Sequence, residues 1–187
     1  MREITRLGSI LFIITAVAAA ILAYTNMITE APIADQILQA NITARQSVLK
    51  DANSFEEVDK DVFEGYANFL EVHKGINNGQ IVGYAIKTNP AGYGGPIEVM
   101  VGISTEAVVT GINVGNHTET PGLGDLATDD KYEGKYAGKK ALQDLTVIKA
   151  GSPKENEIIA ISGATITSVA VTSGVNAAIK LFNEKLK

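Results

Sequence analysis

The sequence predicts an α+β protein: a single N-terminal transmembrane helix followed by a mostly antiparallel sheet domain with flanking helices. Three observations predict it. Residues 7–29 carry no charge, residues 80–114 form short alternating runs punctuated by Gly, Asn and Pro, and the last 20 residues return to helical apolar spacing. Strands in a run with helices at both ends are the pattern of an antiparallel sheet with segregated helices.

The first element is the apolar run. "MREITRLGSILFIITAVAAAILAYTNMITE" holds Arg2 and Arg6, then 23 uncharged residues from Leu7 to Thr29. At ~1.5 Å per residue these cross a ~30 Å hydrocarbon layer, and a lone span in lipid must be a helix to satisfy its own backbone. The next basic residue after Arg6 is Arg45, so the positive-inside rule puts the N-terminus in the cytoplasm and the rest of the chain outside it. A cleaved signal peptide would need a small-x-small site, which Ala18–Ala20 supplies, but cleavage there strands the apolar tail "ILAYTNMI". Residues 1–30 are read as the anchor.

Residues 31–75 read as a helical stalk with leading helices. Pro32 suits the first position of a new helix, and Ile33, Ile37, Ala40, Ala44 and Val48 then recur every three or four positions to about Lys50. In "NSFEEVDKD", Ser54 and Glu57 have the spacing of a capping box for a further helix. The following "VFEGYANFL" is ambiguous by period.

Residues 76–187 form the α+β domain. "QIVGYAIKT", "PIEVMVGIS" and "EAVVTGINV" read as strands, with "NPAGYGG" a turn cluster between the first two. "LTVIK" and "EIIAI" are two more short strands. Val171, Val175, Ala178, Ile179, Phe182 and Leu186 then line one face of a closing helix.

The totals exclude several chemistries. The net charge of −5 and the scattered basic residues give no footprint for nucleic acid. With no cysteine there is no disulfide, thiolate nucleophile or cysteine-held cluster, and with two histidines, His73 and His117, no metal centre is expected. Electron transfer here would require an organic cofactor.

Two stretches have room for one. In "NHTETPGLGD", Asn116–Asp125, Gly122 and Gly124 could let successive N–H groups converge on an anion, though a plain glycine turn explains them as well. His117 and Glu119 could pair as acid and base, but nothing else completes such a site. In "ISGATITS", Ile161–Ser168, four hydroxyls (Ser162, Thr165, Thr167, Ser168) flank Gly163 and Ala164 ahead of the last helix. A helix cap needs one of them. The alternative is an anion, such as phosphate, held by the free N–H groups and dipole of the helix start. The residues leave both readings open.

"SGATITS" resembles the attachment motif of the FMN-binding domain shared by the G subunit of the Rnf complex and the C subunit of the sodium-pumping NADH:quinone reductase. "GYGGPIEVMVGI" and "ETPGLGD" resemble that family's other two signatures in the same order, and the single N-terminal span also matches. The resemblance implies FMN joined through its phosphate to Thr165 as a phosphoester, with Ser162, Gly163, Ala164 and Thr167 around it. It implies that Glu119, Thr120, Leu123 and Gly124 line the flavin. A separate flavin transferase would make the bond from FAD outside the cytoplasm. At one position the chain departs from the family pattern: Ile159 stands where an aspartate is common, three residues before the motif's first hydroxyl.

The compact length favours the Rnf member of the pair, implying a single-pass subunit of the cell membrane that relays electrons among other membrane subunits of an ion-pumping ferredoxin:NAD oxidoreductase. It carries no catalytic residue of its own. The alternatives are the C subunit of the quinone reductase and a non-redox anchored binding or scaffold domain with an unmodified cap.

Overall fold

The computed structural model describes residues 2–66 and 68–187, in two compact units, one up to Ile42 and one from Thr43 to Lys187. The helix α1 (Arg2–Val48) exposes nearly every side chain as far as Ile42, where the first unit ends, and it contains an 18-residue window of mean hydropathy 2.3. Ser9, Thr15, Thr25 and Thr29 interrupt its apolar surface, and their hydroxyls fold back onto carbonyls three or four residues earlier, for example Ser9 to Thr5 at 2.9 Å. No break occurs at Pro32, which lies inside the helix. One proline removes a single N–H bond, whereas ending and restarting a helix would leave several groups unsatisfied at each end.

The second unit is built on a five-stranded antiparallel meander of β1 (Ser54–Glu57), β2 (Phe69–Asn77), β3 (Gln80–Thr88), β4 (Val99–Ser104) and β5 (Val109–Val114), in that spatial order. The expected helix start at Ser54 is therefore wrong: Ser54 and Glu57 pair with Ile76 and His73 as an edge strand. The helical reading of residues 51–75 gives way to β1, a short 3-10 turn and most of β2. Two short strands, β6 (Thr146–Ile148) and β7 (Glu157–Ile159), pair in parallel, and α2 (Asp130–Glu133) precedes them. The closing helix α3 (Thr165–Leu181) ends in a π-helical turn, Phe182–Leu186. Its span to Leu186 is also apolar enough for a membrane, but 61% of that apolar window is buried. It is the core helix.

Alternation along the strands makes two faces. Val99, Val101 and Ile103 of β4, with Ile86 and Ile112, pack against Val171, Val175, Ala178 and Ile179 of α3. On the opposite face Ala85 and Met100 meet Val48 and Leu49, where α1 ends. There the sheet carries a trough of glycines, Gly75 paired to Gly83 and Gly102 paired to Gly111. A Cβ on Gly75 would lie 2.2 Å from Leu49 Cδ2, and one on Gly102 2.2 Å from the Val48 oxygen. The Thr110 hydroxyl also donates to the Val48 carbonyl. Nearby, the buried Arg45 guanidinium donates to His73 Nε2 at 2.5 Å. Arginine only donates, so the imidazole proton sits on Nδ1.

Candidate functional site

Three loops meet at the N-terminus of α3, and one carboxylate joins them. Glu119, 7% exposed, accepts the backbone N–H of Tyr93 at 2.8 Å and of Gly94 at 3.0 Å on Oε1, and the Thr167 hydroxyl at 2.5 Å on Oε2. The Thr118 hydroxyl adds a bond to the Gly94 carbonyl at 3.0 Å. Burial alone would raise the Glu119 pKa. The Thr167 hydroxyl, the two N–H groups and nearby His117 outweigh it and hold the carboxyl below its ordinary value. It is an anion with three donors. A Cβ on Gly124 would sit 2.5 Å from Glu119 Oε2 and 2.8 Å from Thr167 Oγ1, so only glycine fits beside the clamp.

Beside this clamp is a cleft of about 520 Å³ lined by Tyr93, Glu119, Thr120, Leu123, Gly124, Gly163, Ala164, Thr165, Ile166 and Thr167. Eight of the nine residues nominated from sequence line it. Ser162 does not, and it makes no cap: the N-cap position of α3 is Ala164, with no side-chain cap hydrogen bond. Tyr93 and Ile166 complete the lining, inside the quoted motifs but outside the nominated set. Each is a large apolar body left well exposed, at 70% and 57%, and that is the signal that would have found them.

The four hydroxyls of "ISGATITS" divide by their partners. Thr167 is spent on Glu119. The fully buried Ser168 accepts the Ile161 N–H at 2.9 Å and donates to the Ala164 carbonyl at 3.0 Å. Ser162 is exposed and outside the cleft. Of these four, Thr165 alone lines the cleft with a hydroxyl that is not committed to a protein partner. The first bond of the helix runs from Ser168 N–H to the Ala164 oxygen at 3.0 Å, so the N–H groups of Thr165, Ile166 and Thr167 precede it and lack a carbonyl one turn back. Gly163, at φ +79°, reverses the chain just ahead of them.

In the "ETPGLGD" loop the plain turn forms rather than the anion site. The N–H groups of Leu123 and Asp125 bond the Thr120 carbonyl at 3.1 and 3.4 Å, so they are not gathered for an anion. Nor do His117 and Glu119 form an acid–base pair: His117 Nδ1 accepts the Glu119 backbone N–H at 3.3 Å, and the carboxylate points to other donors. What the loop contributes is a wall, with Leu123 laid against Gly163.

The family model of the FMN-binding domain matches residues 92–180, a stretch that holds the residues of all three loops that line the cleft. The chain is 45% identical to the G subunit of the Na(+)-translocating ferredoxin:NAD(+) oxidoreductase complex of Acetobacterium woodii, over all of this chain and 95% of that one. It is 35% identical to the G subunit of the ion-translocating oxidoreductase complex of Methanosarcina acetivorans, over 95% and 94%. The proton-translocating counterpart of Clostridium ljungdahlii is 34% identical over 88% and 83%. The chain belongs to the family of G subunits of ion-translocating oxidoreductase complexes. Its fold is shared with the crystal structure of Shewanella oneidensis NqrC, at a TM-score of 0.53 and 22% identity over 72% of this chain and 71% of that one.

Proposed function

We propose that this protein is a membrane-anchored flavoprotein subunit that relays electrons within an ion-pumping ferredoxin:NAD oxidoreductase, through FMN esterified to Thr165. The observation that carries the reading is the partition of hydroxyls in "SGATITS": Thr167 and Ser168 are committed to the fold, and Thr165 faces the cleft unbonded. The residues fit the cofactor. Free N–H groups and the helix dipole at Thr165–Thr167 suit a phosphate, and Leu123, Ile166 and Tyr93 offer apolar surface to a ring system. Bound there, FMN supplies reversible one- and two-electron chemistry, while the protein sets its position and surroundings.

Attachment is a group transfer. The Thr165 oxygen attacks the FMN-side phosphorus of FAD, the diphosphate bond breaks, AMP leaves and the hydroxyl proton is lost. The family resemblance implies a separate flavin transferase for this step; in the cleft itself the carboxylate of Glu119 is held by three donors. The uncharged run of α1 after Arg2 and Arg6 supports a single span with the N-terminus in the cytoplasm and the FMN domain on the other side. Relatives are named for Na+ and for protons.

Co-expression with a flavin transferase tests the reading. Thr165→Ala removes the fluorescent band from a denaturing gel, and the wild-type peptide containing Thr165 gains the mass of FMN less one water. Thr167→Ala keeps the label. Fluorescence surviving in Thr165→Ala overturns the assignment.

A further inference from the structure

Behind the first turn of α3, three buried hydroxyls form a chain that ends on the backbone carbonyl of Ser168, whose own hydroxyl is buried beside it. Tyr132, Tyr136, Thr172 and Ser168 are each 0–3% exposed. The Thr172 hydroxyl donates to the Ser168 carbonyl at 2.8 Å, which leaves its oxygen to accept from Tyr136, 2.8 Å away. Tyr136 in turn has its oxygen free for the Tyr132 hydroxyl at 3.0 Å. Each group has one proton, so the donation runs one way, from Tyr132 through Tyr136 and Thr172 into the backbone of Ser168. Burial first, and for Tyr136 then the neighbouring Tyr132, raises both phenol pKa values, which keeps the donors protonated.

The chain holds the backbone of Ser168, and the side chain of the same residue has partners of its own. Ser168 Oγ ties the N–H of Ile161 to the carbonyl of Ala164, and so closes the turn that delivers Thr165 to the cleft. Ile161 is 8% exposed, so its N–H has no easy recourse to water if the oxygen is removed. Ser168 itself touches neither the cleft nor any group that reacts.

We propose that Ser168, braced by Thr172 and Tyr136, is a positioning residue for modification at Thr165: it holds the Ile161–Ala164 turn so that the threonine oxygen is presented in line with the incoming phosphorus. This rests on the reading that Thr165 carries FMN. In-line displacement is sensitive to placement, a displacement of ~1 Å costing on the order of a hundredfold in rate.

The test measures flavin incorporation into the full-length protein in detergent, with FAD and a purified flavin transferase. For Ser168→Ala, kcat falls on the order of tenfold or more while KM for the protein substrate changes by less than about threefold. Ser168→Thr keeps an oxygen able to bond the carbonyl four residues back, as Thr172 already does, and restores most of the rate. Tyr136→Phe removes only the distal brace, is isosteric, and gives a smaller loss in kcat. Ser168→Ala or Tyr136→Phe protein that keeps its tyrosine near-UV signal yet is labelled at the wild-type kcat overturns the proposal. So does a loss confined to KM. Wild-type protein labelled at a residue other than Thr165 refutes the attachment site itself, a separate result.

Discussion

Glu119→Gln isolates the clamp, since the amide keeps the volume and removes the charge. Its carbonyl oxygen still accepts the N–H groups of Tyr93 and Gly94, but both bonds lose their ionic component, and its NH2 now faces the Thr167 hydroxyl that had donated at 2.5 Å. Hydrogen bonds to a charged group contribute about 1.5–3 kcal/mol against about 1 for neutral pairs. Losing one such bond and weakening two removes ~3–4 kcal/mol, and the easier burial of a neutral amide offsets part of that. The net cost is about 1–3 kcal/mol, or roughly 3–9 °C in Tm for a domain of this size. The assay is thermal unfolding of the full chain in detergent, followed by the tyrosine near-UV signal. The pH dependence sharpens it. The folded pKa of Glu119 is depressed, so its contribution is present above the ordinary glutamate value of about 4.3 and is lost as pH falls through the folded value. The gap between wild type and variant is therefore full at pH 7 and closes on acidification into that range. Equal Tm values at pH 7, or a gap that persists undiminished at low pH, would refute the clamp.

Three further outcomes follow from other parts of the fold. His73 has its pKa lowered, by burial first and then by the Arg45 guanidinium, against weaker pulls from Glu71 and Glu57. Stability it provides is therefore complete above about pH 6.5 and declines below it, by at most ~1.4 kcal/mol per pH unit; His73→Gln flattens the Tm profile between about pH 7.5 and 5.5. Gly75→Ala drives a methyl into Leu49 and lowers Tm, whereas combining it with Leu49→Ala costs less than the sum of the two, a coupling on the order of 1 kcal/mol or more by double-mutant cycle. Gly124→Ala destabilises by about 1–3 kcal/mol through the clash with Glu119 and Thr167, and its penalty shrinks in a Thr167→Ala background.

The sheet was legible because its signal is local. β3 covers the predicted run "QIVGYAIKT" residue for residue, Gln80–Thr88, and β4 and β5 fall inside theirs. β1 was not legible. Its Ser-x-x-Glu spacing is a good local helix signal, but pairing to β2 some 20 residues away overrides it. The site shows the same division. Glycine, hydroxyl and motif order picked out the cleft residues, yet which hydroxyl is free depends on partners 4 to 48 residues distant, such as Glu119 for Thr167. Nothing in "ETPGLG" alone says that its carboxylate faces inward to bind two other loops. The pairing of Arg45 with His73 was hidden for a related reason: one sits at a helix end and the other in a strand, and only the folded sheet joins them.

The glycine trough bears on where the chain tolerates being cut. Val48 and Leu49 are 1% exposed and fill the furrow across four strands, so the last turn of α1 belongs to the core of the domain as much as any strand does. A soluble fragment beginning at Thr43 keeps that plug, with Arg45 still donating to His73. One beginning at Asp51, just ahead of β1, uncovers Ala85, Met100 and the bare backbone of the glycines as a greasy groove. Such a fragment would precipitate or self-associate, and its poor behaviour would be a fault of the scissors rather than of the flavin site.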